Sequence, residues 1–315
     1  MATAFIFPGQ GSQSIGMGCA LAQAHPEAQA IFDRVDEALG EKLSTIMWEG
    51  EADTLTLTQN AQPALMAVSM AVLAVLEKEG VSIKESCAYV AGHSLGEYTA
   101  LTAAGALSLE EAARLLRLRG QAMQAAVPVG VGAMAALLGL DFATVDDIAT
   151  AATAATKDDE ICEAANDNAD GQVVISGHAG AVARAIDLAK AAGAKRAMTL
   201  PVSAPFHCRL MQPAADAMAD ALSQTTIATP CVPVIANVLA QPVSDGDQIS
   251  ALLVAQVTGR VRWRESMLWF ADNGGDNLLE IGAGKVLSGM AKRIDKRLSA
   301  RAIGTAEDIT DYIGG

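Results

Sequence analysis

Residues 88–103 read AYVAGHSLGEYTALTA. An apolar run of strand length stops at a glycine, a serine follows, and helix-forming residues resume after a second glycine. A G-x-S-x-G at a strand–turn–helix junction is the sequence form of a nucleophile elbow. Gly92 and Gly96 permit close backbone approach and strained dihedrals, so the Ser94 hydroxyl can project at a helix N-terminus. The N–H of Leu95 can then face a developing oxyanion. An ordinary turn with Ser94 as a helix cap has the same local sequence, so residues elsewhere must decide.

The rest of the chain supplies the sheet that such an elbow needs. "TAFIFPGQGSQ" opens with a short buried strand, Thr3 to Phe7, stopped by Pro8 and Gly9. Helical patterns follow through Leu39. "QPALMAVSMAVLAVLEKEG" predicts a mostly buried helix with Pro63 in its first turn and Gly80 as its stop. "CAYVAG" (87–92) is a second buried strand, and the alternation of strand and helix points to a parallel α/β sheet. Between Val129 and Leu200 the rhythm changes. "VGAMAALLGL", "EICEAAN", "QVVISG" and "KRAMTL" read as strands, and "DFATVDDIATAATAAT" and "HAGAVARAIDLAKAAG" as helices. That βαββαβ order is the ferredoxin-like pattern. The expected fold class is therefore α/β, with a large lobe over residues 1–128 and 201–315 and a small inserted lobe over residues 129–200.

Composition limits the partners. At 51% hydrophobic and 18% charged residues the chain is a compact globular one, and a net charge of −14 argues against nucleic acid. Only four of the 22 Lys and Arg residues precede Arg114, whereas nine lie between Arg260 and Arg301. That leaves room for a local basic face, although a solvated helix surface is the plainer reading of "AKRIDKRLSAR". The five cysteines are scattered without C-x-x-C spacing, which suggests buried free thiols in a reducing compartment and no metal site. The longest apolar stretch, Ala64 to Leu76, is shorter than the roughly 20 residues of a membrane span. "MATAFIFPGQ" lacks the basic region of a secretory signal, so no membrane and a cytoplasmic location are expected.

A serine nucleophile needs a base, and the chain has four histidines. His25, in "AQAHPEAQ", reads as solvated, and His178, after "VISG", as a loop residue. His93 adjoins Ser94 and would point away from it, bracing the turn. His207 remains, in "PVSAPFHCRLM", where the chain should re-enter the main sheet behind Pro205 and the bulky Phe206. A second charged group stands out in "SLEEAARLLRLRGQAMQAA", a helix that opens with a Ser108/Glu111 capping box. Ala112, Leu115, Leu116 and Met123 mark its buried stripe, and Arg114 and Arg117 its wettable face. Arg119 falls on the buried stripe. An inward guanidinium must find an anion, either a buried carboxylate of the protein or the carboxylate of a substrate held by the arginine fork. The glycine runs are not nucleotide sites. Ser14 stands where a dinucleotide fingerprint needs its third glycine, and Leu279 and Val286 stand where a P-loop needs Gly and Ser or Thr. The loop Gly9-Gln10-Gly11 can instead offer a second oxyanion N–H, from Gln10, opposite Leu95.

Taken in order, "FPGQGSQ", "TQNAQPAL", "GHSLGEY", "RLRGQAMQ", "VSAPFH" and "EIGAGKVLSG" strongly resemble the malonyl-CoA:acyl-carrier-protein transacylases of fatty-acid synthesis, to which polyketide acyltransferase domains are related. The resemblance spans roughly residues 3–303. It implies an α/β-hydrolase-like large lobe and an inserted ferredoxin-like small lobe. It also implies Ser94 as nucleophile, His207 as its base, Gln10 and Leu95 as oxyanion donors, and Arg119 as the group that binds the malonyl carboxylate. The backbone carbonyl of Gln256 would orient His207, and Phe206 resembles the bulky residue of malonyl-selective members. The chain departs from the family at Gly259-Arg260, where a proline is frequent near position 260, and at Asp170 in "NDNADGQ".

The expected reaction is a two-step exchange through a malonyl-serine ester, with malonyl-CoA and holo acyl carrier protein as partners, no cofactor, and a monomeric enzyme. Lys190, Lys195, Arg196, Lys285 and Lys292 are candidates for a basic surface that meets the acidic carrier. Arg119 and the whole motif set fit a serine esterase or thioesterase poorly, and a non-catalytic relative would be expected to lose Ser94 or His207. The acyltransferase of a malonate decarboxylase or polyketide system, or a methylmalonyl-selective homologue, is not separated by these residues.

Overall fold

In a computed structural model, which describes residues 2–155, 159–202 and 204–314, ten strands form two separate sheets. The six-stranded sheet contains β1 (Ala2–Phe7), β2 (Tyr89–Gly92), β7 (Val234–Ala236), β8 (Gln241–Val243), β9 (Gly275–Ile281) and β10 (Ser299–Ile303). Its order is β10-β9-β1-β2-β7-β8; every neighbouring pair is parallel except the edge pair β7–β8. β1 is central and buries both faces, as a parallel strand covered by helices must. Phe5 and Phe7 enter the core around the helix Thr58–Lys78, and Ala4 and Ile6 enter the core around Trp263, Met267 and Phe270. The chain is thus mixed α/β, and the strands expected at 3–7 and 87–92 form at nearly those residues.

The second sheet is antiparallel throughout, with β3 (Gly132–Leu138), β4 (Cys162–Ala169), β5 (Gln172–His178) and β6 (Arg196–Thr199) in the order β4-β5-β3-β6. Helices Phe142–Ala154 and Ala179–Ala191 connect β3 to β4 and β5 to β6. Both pack on one core with Leu137, Val173 and Ile175. Thr156, the expected end of the first of these helices, lies outside the described residues.

The far end of β4 ties the sheets together. Asp167 N–H donates to Val261 O, Val261 N–H donates to Ala165 O, and the fully buried Asp167 carboxylate pairs with Arg264 at 2.9 Å. Arg260, at one of the positions where the family often differs, lies 4.1 Å from the ring centre of Phe142 and bonds Glu265.

Three expectations need correcting. The buried helix begins at Thr58, five residues before Pro63, because Thr58 and Gln62 turn inward and take polar partners there. It is long and apolar enough to cross a membrane, yet 83% of its most apolar stretch is buried inside the protein, as a core helix requires. Arg117 is not on a wettable face: its side chain is 12% exposed, and it pairs with Glu41 and Asn60, which the fold brings over that side of the helix. Of the cysteines, only Cys87, Cys162 and Cys208 are buried; Cys231 is exposed on a loop and Cys19 is half-buried.

Candidate active site

β2 runs into Ser94, whose φ of 53° and ψ of −111° lie outside the regions an L-residue favours, and helix Leu95–Ala103 starts at the next residue. The turn is held open by its two glycines. A Cβ on Gly92 would stand 1.9 Å from the carbonyl of Gly96, and one on Gly96 would stand 2.4 Å from Phe7 O. The strain is offset by bonds on both sides of the serine: Ser94 N–H donates to Asn237 Oδ1 at 2.7 Å, and Gln256 Nε2 donates to Ser94 O at 3.0 Å. Ser94 is therefore an elbow and not a simple cap; its side chain makes no capping bond.

The Ser94 hydroxyl meets His207 Nε2 at 2.7 Å. His207 also sits at positive φ, 59°, and is 4% exposed. Its Nδ1 faces the carbonyls of Gln256 at 2.9 Å and Gly259 at 3.2 Å. A nitrogen between two carbonyls carries the proton, so Nε2 is left bare to accept from Ser94. Burial, and after it the charge of Arg119, push the His207 pKa down to about 3, which keeps the imidazole neutral at physiological pH.

Arg119 is 1% exposed and reaches the same hydroxyl: Nη2 donates to Ser94 Oγ at 3.1 Å and to Gln256 Oε1 at 2.8 Å, and Nη1 to Gln62 Oε1 at 2.7 Å. Its Nε has no hydrogen-bond partner, and no carboxylate among the described residues makes an ion pair with it. The open choice between a protein and a substrate anion thus gets a specific form. A buried carboxylate, Glu97, is present, but the side-chain amide of Gln256 stands between it and the guanidinium. From Arg119 a second polar chain runs outward. Gln62 Nε2 donates to Thr58 Oγ1 at 2.9 Å, and Thr58 Oγ1 donates to Gln10 Oε1 at 3.0 Å.

Gln10, Ser94, Leu95, Arg119, Phe206 and His207 all line one cavity of about 500 Å³, whose opposite wall comes from the antiparallel sheet through Met134, Asn166, Asn168 and Val174. Leu95 is in the first turn of its helix, where backbone N–H groups lack partners one turn back. Gln256, the last expected site residue, is fully buried behind Ser94 and His207 and joins them from outside the cavity lining. His93 braces the elbow, with Nε2 at 2.8 Å from Asn168 Oδ1. His178 ends β5 and accepts from Ile161 N–H, away from the cavity, and His25 is partly exposed beside Glu27. Sequence reasoning missed Glu97, Gln62 and Asn237. Only Glu97 carried a signal: it is a lone charge in an otherwise apolar or small helix, "LGEYTALTA".

An elbow serine, a carbonyl-held histidine and a buried arginine meeting on one hydroxyl have the arrangement that nucleophilic catalysis by serine requires. The sequence model of the acyl transferase domain matches residues 4–306, and the chain belongs to that family. Within it, its relatives include malonyl CoA-acyl carrier protein transacylases. The one from Bacillus subtilis is 45% identical over 306 residues, covering 97% of this chain and 94% of its own. The crystal structure of an acyl-carrier-protein-S-malonyltransferase from Bartonella henselae superposes with a TM-score of 0.95 at 56% identity, each chain covered completely. A malonyl-transacylase solved in complex with its type II PKS acyl-carrier protein also gives 0.95, at 40% identity, covering 100% of this chain and 99% of its own.

Proposed function

We propose that the protein transfers a malonyl group from malonyl-CoA to the phosphopantetheine thiol of holo acyl carrier protein, feeding fatty-acid biosynthesis. The observation that carries this reading is Arg119: a buried guanidinium that no carboxylate among the described residues pairs with, donating to the hydroxyl that His207 also holds. A substrate bearing its own carboxylate near the acyl carbon supplies the missing anion. Ser94 Oγ attacks the thioester carbonyl while His207 Nε2 takes its proton. The oxyanion is stabilised by the N–H groups of Gln10 and Leu95. The C–S bond then breaks, and the CoA sulfur leaves with the proton from His207. The carrier thiol next gives its proton to His207 and attacks the malonyl ester; the C–O bond breaks, and Ser94 Oγ leaves with the proton returned by His207. Phe206, which lines the cavity, limits room for a substituent on the malonyl α-carbon. Held by Arg119, the ester is oriented for a bound thiol and away from productive attack by water.

The same reading organises the chain as an α/β-hydrolase-like large lobe, 1–128 and 201–315, with a ferredoxin-like lobe, 129–200, inserted into it. The separate antiparallel sheet and its order β4-β5-β3-β6 support this division. The enzyme acts as a cytoplasmic monomer without cofactor or metal. Carrier docking uses exposed basic side chains: Lys190, Lys195 and Arg196 around β6, with Lys285 and Lys292 near β9.

Intact-mass measurement after mixing with malonyl-CoA, or separately acetyl-CoA, tests the reaction. A malonyl adduct on Ser94 that persists in buffer and discharges onto holo carrier protein is expected. An adduct that decays to free malonate in buffer means a thioesterase instead.

A further inference from the structure

Glu97 is a buried ionisable group behind Ser94 that the proposed reaction does not use. It is 2% exposed, in the first turn of the helix that follows Ser94. Its Oε2 accepts from Gln256 Nε2 at 2.7 Å and from Asn237 N–H at 3.1 Å. The Oε1 of the same Gln256 accepts from Arg119 Nη2. The amide therefore lies between a cation and an anion, with its carbonyl end toward the guanidinium and its NH2 end toward the carboxylate. Reversed, it would set donors against donors and acceptor against acceptor in a site closed to water. The bond from Gln256 to His207 is made by the backbone carbonyl and does not depend on which way the side-chain amide faces, whereas the amide carbonyl meets Arg119 directly.

We propose that Glu97 is a positioning residue that determines acyl specificity: it fixes the Gln256 amide so that Arg119 is aimed at the acyl pocket over Ser94. It also keeps the protein's own anion one amide away from the guanidinium, leaving that place to an acyl carboxylate. This rests on the reading of Arg119 as the carboxylate clamp. Burial raises the Glu97 pKa to about 7, while the bonds from Gln256 and Asn237 and the charge of Arg119 favour its anionic form.

The test is single-turnover acylation of Ser94 by malonyl-CoA and by acetyl-CoA, in the full chain, with Glu97→Gln, Glu97→Asp and Arg119→Ala. Losing one charge-assisted hydrogen bond in Glu97→Gln should raise the half-saturating malonyl-CoA concentration about tenfold and change acetyl transfer less than about twofold. Glu97→Asp keeps the charge but withdraws it from Gln256, and the same fall in malonyl preference is expected. This variant decides the matter if Glu97→Gln does not fold. Equal losses for both acyl groups, or an unchanged preference, overturn the proposal and leave Glu97 a structural residue. Arg119→Ala separates the two levels. If it keeps the full malonyl preference, the clamp reading fails and the Glu97 role with it. If it abolishes the preference while both Glu97 variants retain it, only the Glu97 role fails.

Discussion

The Ser94 hydroxyl sits between two groups that pull in different directions. In the proposed reaction His207 prepares it as a nucleophile, while Arg119, close by and positively charged, lowers the basicity of that same histidine. A base with a pKa of about 3 is weak, but it is never lost to protonation near neutrality. The proposed mechanism needs the neutral imidazole, so on it activity falls only as pH drops through the folded-state pKa. The acid limb of acetyl transfer to Ser94 is therefore expected well below the ordinary histidine value of 6.5. In Arg119→Ala the repulsive charge is gone, the histidine pKa rises, and the limb should move to higher pH. Acetyl-CoA is the right probe because its acyl group has no carboxylate to lose. A limb that stays put in the variant would show that burial alone sets the basicity of His207.

Elements place these side chains through close backbone contact. Helix Leu109–Ala125 carries Arg119 and is pressed against the start of helix Thr58–Lys78 at Gly120, where a Cβ would stand 2.4 Å from Gln59 Cα and 2.7 Å from Thr58 O. That approach lets Arg119 reach Gln62 and links it through Thr58 to the Gln10 loop. Gly120→Ala removes no functional group but forces the helices apart. Overpacking of this kind costs about 1–3 kcal/mol, to be read from denaturant unfolding. We expect malonyl preference to drop with it, because Arg119 moves away from Ser94. Full stability with reduced preference would instead mean that the helices yield locally without strain.

Across the whole molecule, the cavity exists only because two sheets face each other. Asp167, buried at the end of β4, grips Arg264 beside the other sheet, with both carboxylate oxygens 3.0 Å from Arg264 Nε. Asp167→Asn should destabilise the protein by about 3 kcal/mol, the low end for breaking a buried pair whose partner is partly exposed. It should slow malonyl and acetyl transfer alike, because the wall formed by Asn166 and Asn168 shifts. Calorimetry with parallel rate measurements checks both; unchanged rates with lowered stability would show that the anchor matters to folding alone. Much of this architecture was legible beforehand. The strand–turn–helix around Ser94, the βαββαβ order of residues 129–200 and the inward face of Arg119 follow from periodicity and from glycines that local geometry demands. The early start of the helix at Thr58 and the burial of Arg117 did not, since each depends on partners distant in sequence: Gln10 for Thr58, and Glu41 and Asn60 for Arg117. Local sequence determined which residues could act, because backbone strain and hydrophobic period are properties of neighbours along the chain. Tertiary structure alone decided what Arg119 pairs with, because an amide from position 256 and a carboxylate from position 97 meet only when helices far apart in sequence are folded together.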